Sequence, residues 1–82
     1  METNVGRYKY TQEDENPTEE QKQFKRAVVA RIIKARENGV SAGKIAHQLG
    51  DKIHTVYDML EAKAFPMSAW RAMDEALKEL GC

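Results

Sequence analysis

Apolar side chains recur along this chain three or four residues apart, and glycine or proline cuts the pattern into short lengths. Phe24, Val28, Ile32 and Ala35 follow one another at spacings of four, four and three. Ile45, Ala46 and Leu49 form a second group, Ile53, Val56, Met59 and Leu60 a third, and Trp70, Met73, Leu77 and Leu80 a fourth. A period near 3.6 residues places each group on one face of a helix, whereas a half-buried strand needs alternation with a period of two, which no segment shows clearly. The expected fold class is therefore all-α: a compact bundle of about four helices.

Capping residues set the expected boundaries. Thr18 with Gln21 three residues later makes a capping-box pattern, and Glu19 and Glu20 suit the positive end of a helix dipole. That first helix should run to about Asn38, with Val29 and Ile33 widening its apolar face and Gly39 closing it. Ser41 should cap a short second helix that ends at Gly50. A third helix is predicted from about Lys52 to Ala62, with Asp51 as its cap. Pro66 disfavours a helical Phe65. The last helix is expected to begin at Ser68 and run to about Leu80, stopped by Gly81.

A chain of 82 residues accommodates one domain and no large substrate cleft, because a domain of about 60 ordered residues buries only about 60% of its unfolded surface. Dimerisation would add stability. Residues 1–17 read as a flexible acidic arm, with Tyr8 and Tyr10 flanking Lys9 as its only hint of an extended element, and 18–82 as the folded domain. Net charge is zero, but it is unevenly spread. Met1–Glu20 carries two basic and six acidic side chains, and Gln21–Cys82 carries 11 basic and seven acidic. The folded part is thus modestly basic. A lone cysteine, Cys82, implies a reducing compartment, and neither a signal-like apolar run nor a stretch near the ~20 apolar residues of a membrane span is present. The expectation is a cytoplasmic protein without membrane contact.

The most informative stretch runs from Val40 to Leu60. Ala46 is small where two helices would cross closely, and Gly50 can take the left-handed conformation that a tight turn between them demands. Ile45, Leu49, Val56 and Met59 would point inward and fix the crossing angle, and the run Thr55-Val56-Tyr57 follows the turn. This stretch resembles a helix-turn-helix motif, and with its flanking helices the resemblance extends over Phe24–Leu80. Phe65-Pro66 followed by Trp70, Met73 and Leu77 looks like the phage repressor and Cro family. Arg36-Glu37-Asn38-Gly39-Val40-Ser41 leading straight into the motif resembles recombinases and transposases, the second choice. Two positions depart from the pattern: Asp51 stands where the turn is usually apolar, a role Ile53 would take over, and Ala42 stands where a glutamine usually opens the second helix.

The resemblance implies a transcriptional regulator that binds double-stranded DNA, as a homodimer on a palindromic site, with its third helix in the major groove. Lys52, His54, Tyr57 and Asp58 would then meet base edges, since Lys or His can donate to guanine and Asp can accept from cytosine. Ser41, Gly43 and Lys44 at the start of the second helix would meet a phosphate, and Thr55 would add another backbone contact. Against this stand plain structural roles: a salt-bridged or solvated Asp58, a merely exposed His54 or His47, and a Trp70 that belongs to the core. The competing function is a protein-interaction module on the same scaffold, an antirepressor or an inhibitor of a host factor, for which near-neutral charge and the acidic arm speak.

No catalytic or cofactor pattern emerges. His47, His54 and Cys82 lack metal-ligand spacing, and the glycines are isolated rather than grouped as a phosphate loop. Cys82 has no fixed base beside it. The chain is expected to be neither an enzyme nor a holder of metal or cofactor.

Overall fold

A computed structural model describes residues 17–82; the expected acidic arm, with Tyr8 and Tyr10, lies outside them apart from Pro17. The described residues form four α-helices and no strand: α1 (Glu19–Glu37), α2 (Ala42–Leu49), α3 (Ile53–Leu60) and α4 (Met67–Glu79). The first helix starts at the expected capping box. The Thr18 N–H donates to Gln21 Oε1 at 2.8 Å, and the Gln21 N–H donates to Thr18 Oγ1 at 3.1 Å, so each of two backbone donors that a helix start leaves orphaned is satisfied by the other residue's side chain. Ser41 caps α2 with the forward half of that arrangement alone, its Oγ accepting the Lys44 N–H at 3.1 Å.

All four helices close with one device. A residue in the left-handed region follows the last turn, and the next N–H reaches back five residues: Val40 to Ala35 (3.0 Å), Asp51 to Ala46 (3.1 Å), Lys63 to Asp58 (3.1 Å) and Cys82 to Leu77 (2.8 Å). Glycine occupies the left-handed position in three of them, at Gly39, Gly50 and Gly81, where it carries no Cβ penalty. In α3 the position is Ala62, at φ 58°. This corrects the expected end of the third helix, which stops at Leu60, two residues short of Ala62. Its start is corrected as well: Lys52, not Asp51, is the capping residue, and the Asp51 carboxylate instead accepts the Lys52 N–H at 2.7 Å. Ser68 lies inside α4, which is entered from an extended Pro66. Proline suits a helix start because the N–H it lacks would be unpaired there.

The core is a continuous layer of Val28, Ile32 and Ala35 from α1, Ala42, Ile45, Ala46 and Leu49 from α2, Val56 and Met59 from α3, and Trp70, Met73, Ala76 and Leu77 from α4. Helix α4 packs on both α1 and α2, and α3 rests on α2 and α1. Trp70 is fully buried and meets Phe65 edge to face, ring centres 5.7 Å apart, a favoured aromatic geometry. A partly buried ion pair joins Arg31 of α1 to Asp74 of α4, and the same guanidinium donates to the Cys82 carbonyl at 2.9 Å. Two expected core positions are not covered. Ile33 is 45% exposed and Ile53 46% exposed, so Ile53 does not take over the turn's packing role.

Candidate functional site: the open face of α2 and α3

The α2–turn–α3 hairpin is held from below. Ile45, Ala46 and Leu49 of α2 and Thr55, Val56 and Met59 of α3 are all buried, and Gly50, at φ 81°, makes the tight turn between the helices. What α3 does not bury it presents outward. Ile53 and Tyr57, one turn apart, are exposed, and His54 and Asp58 beside them are half-buried. Lys52 stands exposed at the helix start. On α2, Ser41, Gly43 and Lys44 are exposed, and α3 meets them there: a Cβ built on Gly43 would sit 3.9 Å from Ile53 Cδ1. The first turn of α2 and the first turn of α3 thus form one continuous surface.

Seven of the eight residues singled out in the sequence (Ser41, Gly43, Lys44, Lys52, His54, Tyr57 and Asp58) reach this face in whole or in part. Thr55 does not, and its expected phosphate contact is corrected: it is 2% exposed, turned into the bundle beside Val56. Asp58 is salt-bridged, with Lys63 Nζ 3.6 Å from its carboxylate and 3.7 Å from that of Glu61. One lysine therefore offsets both acids at the far end of α3. Among the described residues no ion pair engages the Lys44 or Lys52 ammonium, so the near end of the face is cationic.

Two contributors escaped the sequence reading. Arg36 of α1 lays its guanidinium over the Tyr57 ring at 5.5 Å, a cation–π contact that restrains the phenol and adds positive charge. Nothing local signals it, because the two residues are 21 apart. Lys63 follows the end of α3, and its pairing depends on the left-handed turn at Ala62 bringing it back beside Asp58.

Geometrically the chain is a small all-α bundle built around a helix–turn–helix, with an open, cation-flanked outer helix. Comparison with protein-family models, with curated proteins and with solved structures finds no match. Among the described residues no group of three His, Cys, Asp or Glu side chains gathers at metal-binding distance, and no helix is long and apolar enough to cross a membrane.

Proposed function

We propose that this chain is a sequence-specific DNA-binding regulator of phage or mobile-element type, acting as a homodimer and inserting α3 into the major groove. One observation carries the reading: α3 is supported by α1 and α2 on one side and open on the other, with the start of α2 beside it. A helix so mounted can enter a groove about 12 Å wide while the N–H groups and Lys44 of the neighbouring helix meet the phosphate backbone. Lys52, His54 and Tyr57 supply hydrogen-bonding groups toward base edges, Arg36 adds positive charge over Tyr57, and Lys63 tempers the carboxylates of Asp58 and Glu61.

The test is selection of bound duplexes from a random library, followed by fluorescence anisotropy across a salt series. His54→Ala and Tyr57→Ala should weaken the selected site by about 1–3 kcal/mol while leaving scrambled duplexes nearly unaffected. Lys44→Ala should weaken every duplex and lower the salt slope by about one unit. A parent protein that enriches no sequence and shows no salt-dependent binding refutes the reading. The second reading, a protein-interaction module, is favoured by Ile33, an exposed apolar side chain on α1 to which a DNA-binding helix hairpin assigns no task. Recovery of a protein partner together with failure of the selection would put it first.

A further inference from the structure

The three large apolar side chains exposed in the described part of the molecule are Ile33, Ile53 and Tyr57, and two of them stand on the outer face of α3. Ile53 is the less easily explained. It occupies the first turn of α3, 46% exposed, against Gly43 of α2 and next in sequence to Lys52. An isoleucine makes no hydrogen bond, and its exposure to water is unfavourable by about 25 cal/mol per Å² of apolar surface. Its surroundings favour a polyanion over an apolar protein surface: Lys52 precedes it in the chain, and Lys44 follows Gly43, the residue of α2 that Ile53 meets.

In the major groove of unmodified DNA the one alkyl group on a base edge, and the usual partner of an apolar side chain, is the 5-methyl of thymine. We infer that Ile53 is a specificity-determining residue that recognises a thymine methyl at a fixed position of the binding site, with Lys44 holding the flanking backbone. This inference rests on the DNA-binding reading and deepens it. Hydrogen-bonding side chains at 54 and 57 would discriminate by donors and acceptors, whereas Ile53 would discriminate by a single methyl group.

Deoxyuridine isolates that group, because it pairs as thymine does and lacks only the methyl. Each thymine of a library-selected duplex is replaced in turn and affinity is measured by anisotropy for the parent, Ile53→Ala and Ile53→Val. Both variants alter an exposed side chain, and circular dichroism verifies their folding. Burying one methyl corresponds to about a fourfold change in affinity. The expected result is one position where the parent loses about fourfold on replacement, where Ile53→Val keeps most of that loss, and where Ile53→Ala binds the thymine and uracil duplexes alike. A selected site with no constant thymine, a parent indifferent to every replacement, or an Ile53→Ala variant that still discriminates overturns the inference and leaves the DNA-binding reading standing. Failure of the selection itself removes both.

Discussion

Replacing Trp70 by alanine removes the largest fully buried side chain of the described bundle. A tryptophan buries about 150–250 Å², which at 25 cal/mol per Å² corresponds to roughly 4–6 kcal/mol, and measured large-to-small aromatic changes cost about 3–5 kcal/mol. The loss includes the edge-to-face contact with Phe65 and the Lys25 ammonium 5.6 Å above the ring. A domain of this size has about 3–10 kcal/mol of stability in total, so Trp70→Ala should populate the unfolded state at 25 °C or melt at least 12 °C below the parent. Trp70→Phe separates packing from polarity. The buried Nε1 finds no acceptor among the described residues, and an unpaired buried donor costs about 1–3 kcal/mol. Phenylalanine loses some packing but removes that donor, so this variant should stay within about 1 kcal/mol of the parent. Urea denaturation followed by far-ultraviolet circular dichroism measures both. Equal stability of Trp70→Ala and the parent would refute the core placement of α4, and equally large losses in both variants would refute the argument from the unpaired indole.

Ala62 carries a left-handed backbone conformation that disfavours any side chain, so Ala62→Gly should raise stability by about 1 kcal/mol in the same denaturation assay; a loss would show the turn to be unstrained. Arg31→Ala and Asp74→Ala should each cost about 1–2 kcal/mol, and the double variant should cost less than their sum, because each single variant already loses the shared partly buried pair, while the Arg31 bond to the Cys82 carbonyl and the Lys78 contact of Asp74 are not shared; additive losses in the double-mutant cycle would deny the coupling. On the DNA-binding reading, Lys63→Ala uncovers Asp58 and Glu61 and should weaken binding about two- to fivefold by anisotropy at low salt, with a smaller effect in an Asp58→Asn background; equal effects in both backgrounds would show that Lys63 acts on DNA directly.

Local features of this fold are legible in the residues themselves. Thr18 with Gln21, Ser41 before Ala42, and glycines at 39, 50 and 81 act on backbone groups within five positions in the chain, so spacing alone predicts them. The inward stripe of each helix is equally legible, because a 3.6-residue period brings Val28 and Ile32, or Met73 and Leu77, onto one face whatever lies opposite. How wide a sector is covered is another matter, since that depends on where neighbouring helices lie. Ile33 and Ile53, at stripe edges, stay open, while Thr55, Phe65 and Ala69 are buried. The pairing of Arg31 with Asp74, 43 residues on, and the seating of Arg36 over Tyr57 follow from helix placement alone. The end of α3 also required the folded chain, because Ala62 has no intrinsic preference for the left-handed turn it makes. Sequence determined the helices and their inward faces through short-range backbone chemistry; tertiary packing decided which edges stay exposed, and with them the composition of the surface α3 presents.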